Sequence, residues 1–283
     1  MRASKHWQVF SRLPATDTRT GSKRRAFGAT LLGLTLALGL QACSSSTPLS
    51  NKSLGLGYPG IQLSDFKGSK PTDYPVHGID VSKYQGDIDW SAVRQSGIEF
   101  AYLKATEGGD QTDDRFAENW REARAAGVPR GAYHFWYHCR PGIEQADWFI
   151  RNVPKEAGAL PPVIDVEWTP FSPTCTKRPA RADLIREVLA MANKLEAHYG
   201  QRPVLYIPID VHRERWVDAT NSHEIWARAV RDHPDNVYER RKFRFWQYTE
   251  SGSVPGIRGG VDKNAFAGTR ADWNIWLSHH SRG

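Results

Sequence analysis

Eight short apolar segments, rich in β-branched and aromatic residues, recur between residues 76 and 266, with amphipathic helical patterns between the earlier ones. They cover 76–82, 98–106, 130–136, 162–168, 203–209, 224–230, 243–249 and 260–266, the last being the weakest. This alternation constrains the fold more than any other feature. A strand, a helix and a second strand make a parallel pair with a crossover, and repetition of that unit builds a parallel sheet. Eight such strands suggest closure into a single α/β barrel, and the roughly 210 residues from position 76 onward fit that size.

The helical patterns carry their own start and stop signals. Asp89 precedes a short helix that stops at Gly97, and Asp113 is expected to cap a helix carrying Phe116, Trp120 and Ala123 that ends at Gly127. Pro141 suits the first turn of a helix with Ala146, Phe149 and Ile150 at helical spacing. The longest pattern places Leu184, Ile185, Val188, Leu189, Ala192, Leu195 and Tyr199 on one face. A weaker helix is expected over 210–217, and after the sixth strand the helical signal fades.

In such barrels reactive side chains gather at the C-terminal ends of the strands. The polar residues of interest fall there. Asp80 ends the first strand, and Lys104 and Glu107 end the second. Tyr133 and His134 lie late in the third, Asp165 and Glu167 in the fourth. Tyr206 is on the fifth, Trp226 on the sixth, Gln247 on the seventh and Asp262 on the last. Within Pro161-Pro162-Val163-Ile164-Asp165-Val166-Glu167-Trp168, strand alternation puts Val163, Asp165 and Glu167 on one face. Two acids so placed fit glycoside hydrolysis, where two carboxyls flank the scissile bond. A solvated strand end that happens to carry acids is the plainer reading. Tyr133, Tyr206, Trp226 and Trp246 can stack on sugar faces or fill the barrel. Lys104 and Glu107 fit a structural ion pair at the barrel mouth as well as a substrate contact. His134 reads as a packed, hydrogen-bonded histidine.

The first 43 residues stand apart. Lys23-Arg24-Arg25 precedes an uncharged apolar stretch over 26–40, shorter than the roughly 20 residues that span a bilayer. Leu40-Gln41-Ala42-Cys43 follows and resembles a bacterial lipobox, which implies cleavage before Cys43 and lipid on its thiol; a retained signal anchor is the alternative. Arg24-Arg25-Ala26-Phe27 partly resembles a twin-arginine export signal. Residues 44–75 are rich in Ser, Gly, Pro and Lys and read as a tether, leaving 76–283 as the barrel. Of the 38 basic and 31 acidic residues, seven and one fall in 1–43, so 31 and 30 remain and the rest of the chain is nearly neutral. The formal charge of +7 is therefore no argument for a nucleic-acid partner. Cys139 and Cys175 follow the third and fourth strands, above one rim, and form a disulfide candidate in an exported compartment. Two free buried thiols are the other reading, and their spacing fits no zinc pattern.

Six segments in order resemble glycoside hydrolase family 25, the lysozymes of the Chalaropsis type. They are His77-Gly78-Ile79-Asp80-Val81-Ser82 with Gln85-Gly86, Lys104-Ala105-Thr106-Glu107-Gly108, Gly131-Ala132-Tyr133-His134-Phe135, Asp165-Val166-Glu167, Phe245-Trp246-Gln247-Tyr248 and Val261-Asp262-Lys263-Asn264. The resemblance implies a modified TIM-like α/β barrel with eight strands and about five crossover helices, (β/α)5(β)3. It implies hydrolysis of the β-1,4 bond from N-acetylmuramic acid to N-acetylglucosamine in peptidoglycan. It makes Glu167 the general acid, Asp165 either a nucleophile or a carboxylate orienting the 2-acetamido group, and Asp80 and Asp262 flanking acids. Tyr133, Tyr206, Trp226, Gln247, Lys104 and Glu107 are the candidate substrate-binding residues. The sixth strand departs from the family's Trp-x-Ala-x-Tyr pattern: it reads Trp226-Ala227-Arg228-Ala229-Val230, without the tyrosine.

The expected protein is thus a monomeric cell-envelope lipoprotein that acts on glycan strands and needs no metal or organic cofactor. Its partners are peptidoglycan and, through the lipid, a membrane, which is the periplasmic face of the outer membrane in a Gram-negative host. A catalytically silent barrel that binds cell-wall glycan is the alternative from another class.

Overall fold

The computed structural model describes residues 66–239 and 241–280. The leader, Cys43 and most of the tether lie outside them. The elements in chain order are β1 (His77–Val81), α1 (Trp90–Gln95), β2 (Phe100–Glu107), β3 (Gln111–Thr112), α2 (Phe116–Ala125), β4 (Arg130–Phe135), α3 (Gly142–Asn152), β5 (Val163–Asp165), α4 (Arg181–Tyr199), β6 (Val204–Pro208), α5 (Ile209–Val211), β7 (Ile225–Arg228), α6 (Pro234–Val237), β8 (Phe245–Gly252), β9 (Val261–Phe266) and α7 (Arg270–His280).

The sheet closes on itself. Neighbouring strands run β1, β2, β4, β5, β6, β7, β8, β9 and back to β1, with β3 paired to the outer end of β2 as a two-residue extra strand. Pairings from β1 round to β8 are parallel, whereas β9 is antiparallel to both β8 and β1. The fold is a modified TIM-like barrel in which regular crossover helices fade after β6, where α5 passes into a single π-helical turn, His212–Trp216. The last strand is reversed, a direction that the apolar pattern of the strands does not specify. It follows from the short link between β8 and β9, which leaves no room for a crossover.

Alternation along each strand divides the apolar side chains into two layers. Ile79, Val81, Leu103, Ile164, Val166, Leu205 and Ile207 face outward against Phe149, Leu184, Val188 and Leu195 of the helices. Phe100, Tyr102, Val163, Val204, Tyr206, Trp226, Phe245 and Phe266 fill the inside. Trp273 and Trp276 of α7 join this inner cluster at the end of the barrel away from the acids. That helix lies past the last predicted strand, in a stretch for which the sequence predicts no helix. Two glycines make space inside: a Cβ on Gly78 would come within 2.4 Å of the Phe100 ring, and one on Gly131 within 2.3 Å of Tyr102.

Local signals explain some helix ends. Asp89 Oδ1 accepts from Ala92 N–H at 3.0 Å, and Gly97 takes φ 92° after α1. Asp113 does not cap α2 as expected. Its carboxylate accepts from Lys83 N–H at 2.9 Å and Arg115 N–H at 3.0 Å, tying the β1–α1 loop to the approach of α2. Residues 66–75, assigned to the tether from composition, instead pack on the barrel. Phe66 is buried edge-on against Trp246, and Tyr74 hydrogen-bonds His233 Nε2 at 2.8 Å.

Candidate active site

Two parallel strands and one antiparallel strand deliver four carboxyls to the same mouth. Asp80 is near the C-terminal end of β1 and Asp165 ends β5; Glu167 follows two residues beyond, past the strand. Asp262 is the second residue of β9, and the antiparallel register sets it opposite Asp80. β5 lies four strands from β9 and three from β1 in a ring of eight, so the two groups of acids face each other across the barrel.

Each group is a pair of neighbouring carboxyls. Asp165 and Glu167 bear on each other, and both carboxyls are pushed up. Burial is the main cause for both. The Glu167 charge adds to it at Asp165, while the Arg228 guanidinium pulls Glu167 back down. Two neighbouring carboxyls shielded from solvent resist joint ionisation, so the pair retains a proton where a lone exposed acid has lost it. Asp262 is held well above the usual carboxylate range, by burial first and then by the Asp80 charge and the hydrogen bond to it.

Asp80 is oriented by two relays from inside the barrel. Trp226 Nε1–H donates to Asn264 Oδ1 at 2.8 Å, and Asn264 Nδ2–H donates to Asp80 Oδ2 at 2.7 Å. The indole is a donor only, so the amide oxygen faces Trp226 and the amide nitrogen faces Asp80. In the second relay Tyr206 O–H donates to Gln247 Oε1 at 2.7 Å, and Gln247 Nε2 lies 3.5 Å from Asp80 Oδ2. Tyr206, Trp226 and Gln247, expected as sugar contacts, are buried and sit where they set the position of Asp80.

Tyr133 is half-buried within reach of Asp80, Asp165 and Asp262, whose charges add to burial in raising its hydroxyl pKa. Lys104 and Glu107 form an ion pair at 2.7 Å, with the ammonium 4.7 Å from the Phe135 ring centroid. Lys104 still lowers the pKa of both Asp165 and Glu167. His134 is buried between Thr106 Oγ1 at 2.7 Å and Gln145 Oε1 at 2.9 Å, and burial takes its pKa down to about 4. Cys139 and Cys175 are joined in a disulfide with Cα atoms 5.8 Å apart. Cys43 lies outside the described residues. Among those residues, no group of three or more His, Cys, Asp and Glu is placed to hold a metal ion.

Three residues with no assigned role also shape the mouth. Arg228 ends β7, pairs with Glu250, and bears on Glu167 and Asp262. Tyr238 O–H accepts from Arg228 N–H at 2.9 Å and donates to Ile207 O at 2.8 Å, holding β7 to β6 at the rim. Asn264 completes the set. Period-two alternation puts Arg228 on the Trp226 face and Asn264 on the Asp262 face, a signal that the sequence carries for both. Tyr238 follows a short loop helix with no such signal.

Residues 79–257 match the family described as glycosyl hydrolases family 25. Lysozyme M1 of Streptomyces globisporus is 32% identical, with 92% of this chain and 97% of that protein covered. The N,O-diacetylmuramidase of Chalaropsis sp is 31% identical over 138 residues, covering 46% of this chain and 65% of that one. A family 25 glycosyl hydrolase structure from Bacillus anthracis superposes with a TM-score of 0.67 at 38% identity, covering 72% of this chain and 94% of that one. A bacterial lysozyme from Streptomyces coelicolor gives a TM-score of 0.64 at 31% identity, over 73% and 97% of the two chains.

Proposed function

The chain belongs to family 25 of the glycosyl hydrolases, and from that premise we propose that it is a muramidase, cutting the β-1,4 bond from N-acetylmuramic acid to N-acetylglucosamine in peptidoglycan. It is a glycoside hydrolase of lysozyme type. The bond and the individual roles are the proposal. The observation that carries them is the pair of buried Asp165 and half-buried Glu167 at the mouth of the barrel, both carboxyls pushed up.

In this reading Glu167 protonates the leaving glycosidic oxygen as the C1–O bond breaks. Burial first, and then the Asp210 charge, push the Glu167 carboxyl up toward the protonated form that step needs. Asp165 orients the substrate's 2-acetamido group, whose oxygen forms the new bond to C1; water later opens that intermediate with retention. A direct nucleophile stands about 5–5.5 Å from the acid, on the far side of the bond. Asp165 comes from the same strand end as Glu167 and not from across the barrel, which favours the orienting role. Asp80 and Asp262 steer water and substrate from the opposite wall, with Asp80 fixed by Asn264 and Gln247. Tyr133 supplies a sugar contact at the rim.

Digestion of purified peptidoglycan, with new reducing ends identified by mass spectrometry, tests the proposal. N-acetylmuramic acid ends support it and N-acetylglucosamine ends overturn it. Glycan binding without new ends favours a silent binding barrel. The Leu40-Gln41-Ala42-Cys43 segment supports a further proposal, that the enzyme is lipid-anchored in the cell envelope. Loss of membrane association in Cys43→Ser checks it, and an unchanged partition contradicts it.

A further inference from the structure

Sheet pairing ends just before Glu167. Trp136 N–H donates to Asp165 O at 2.9 Å and Val166 N–H to Tyr206 O at 3.0 Å. The Glu167 carbonyl is held by a side chain instead, with His138 Nε2 at 2.8 Å. The tautomer follows from the other ring nitrogen. Trp136 Nε1–H, a donor only, lies 3.2 Å from His138 Nδ1. Nδ1 therefore accepts, and the ring proton sits on Nε2, where it donates to Glu167 O.

The same imidazole packs on Trp168, with ring centroids 4.8 Å apart. One side chain thus grips both Glu167 and the residue after it. The next residue anchors His138 in turn. Cys139 is bonded to Cys175, whose N–H donates to Ser172 Oγ at 3.1 Å and whose carbonyl accepts from Thr169 Oγ1 at 2.7 Å. The Arg178 guanidinium, from the same loop, stands 4.8 Å from the Trp168 ring centroid.

We propose that His138 is a positioning residue for the hydrolysis, holding the Glu167 main chain so that its carboxyl stays against Asp165, and that the Cys139–Cys175 disulfide holds His138. The inference rests on the reading of Glu167 as the acid. The β5 ladder fixes the backbone only to Val166, and a displacement of about 1 Å at a reacting group costs about a hundredfold in rate. The Glu167 carboxyl faces Asp165 on β5, Lys104 on β2, Tyr206 on β6, Asp210 on α5, Arg228 on β7 and Asp262 on β9. A shift of its main chain changes its distance to all six, so the pH dependence of turnover moves together with the rate.

The test measures kcat, KM and the kcat–pH profile on soluble glycan fragments of peptidoglycan. The proteins are wild type, His138→Ala, His138→Gln, Trp136→Phe, and wild type with its disulfide reduced. His138→Ala is expected to lower kcat about tenfold or more, leave KM nearly unchanged and displace the alkaline limb. His138→Gln, whose amide N–H replaces the Nε2 donor, restores most of kcat. Trp136→Phe and reduction each give a smaller fall. A folded His138→Ala with wild-type kcat and an unmoved limb overturns the inference, as does a glutamine variant no better than alanine. Should His138→Ala not fold, wild-type kcat in both Trp136→Phe and the reduced enzyme overturns it. Wild-type turnover with unaffected variants sinks this inference alone; no turnover in oxidised wild type sinks the proposed function beneath it.

Discussion

Asp80 and Asp262 stand opposite each other in the antiparallel β1–β9 ladder, and their carboxyls hydrogen-bond. A parallel β9 would have left its second residue at the closed end of the barrel, near Trp273 and Trp276. Reversal of one strand brings the fourth acid to the mouth instead. It also places Asn264, two residues on, where its amide reaches Asp80.

The first prediction concerns Asp262 and pH. Its pKa is raised on folding, so between the ordinary carboxylate value near 4 and the raised value the folded state binds more protons. Stability from this group is therefore present at low pH and is lost as pH rises through that window. Asp262→Asn removes the loss. Thermal unfolding is expected to show a variant matching wild type near pH 4 and melting increasingly above it toward pH 8. A gain that grows as pH falls contradicts the sign.

Glu167→Gln keeps the shape of the acid and removes its proton. General acid catalysis is worth about a hundredfold to ten-thousandfold, so kcat on peptidoglycan is expected to fall by that factor. The melting temperature should not drop, because the change removes an ionisable group that burial disfavours. Full activity in a folded variant excludes Glu167 as the acid.

The strands and the acids were legible in the sequence because both obey simple periods. Apolar runs marked all eight ring strands, and alternation put Asp80, Asp165 and Asp262 on inward faces. The direction of β9 was not legible, since a strand's own pattern does not depend on which way its neighbour runs. The buried roles of Trp226 and Gln247 were hidden for a related reason: an inward aromatic or amide looks the same whether it meets sugar or Asp80. The ring contacts of Trp273 and Trp276 on Phe245 and Phe266 depend on closure of the whole sheet, which no local pattern in α7 records. The hold of His138 on Glu167 joins residues 29 apart through a loop without periodicity.

Arg228 supplies a prediction about the alkaline limb of activity. Its positive charge lowers the pKa of both Glu167 and Asp262. In Arg228→Gln that pull is gone, so Glu167 holds its proton to higher pH. The alkaline limb of kcat is expected to move upward, most clearly at low ionic strength. Glu250 loses its partner in a half-buried position, so a modest loss of melting temperature should accompany the shift. A limb that moves to lower pH refutes the electrostatic account.

Gly78 tests the packing that carries the site. It lies on β1 two residues before Asp80 and beside Phe100 in the β1–β2 register. An added Cβ would stand 2.4 Å from that ring. Phe100 cannot easily withdraw, because Phe245 and Trp273 lie 5.1 and 5.3 Å away by ring centroid. Gly78→Ala is therefore expected to cost about 1–3 kcal/mol. In a domain of this size that lowers the melting temperature by about 2–12 °C. Shortening the ring in Gly78→Ala/Phe100→Leu should recover part of the loss, which separates a clash from a simple change of β propensity. A single variant that melts with wild type, or a double variant whose losses simply add, would show that Phe100 has room to move.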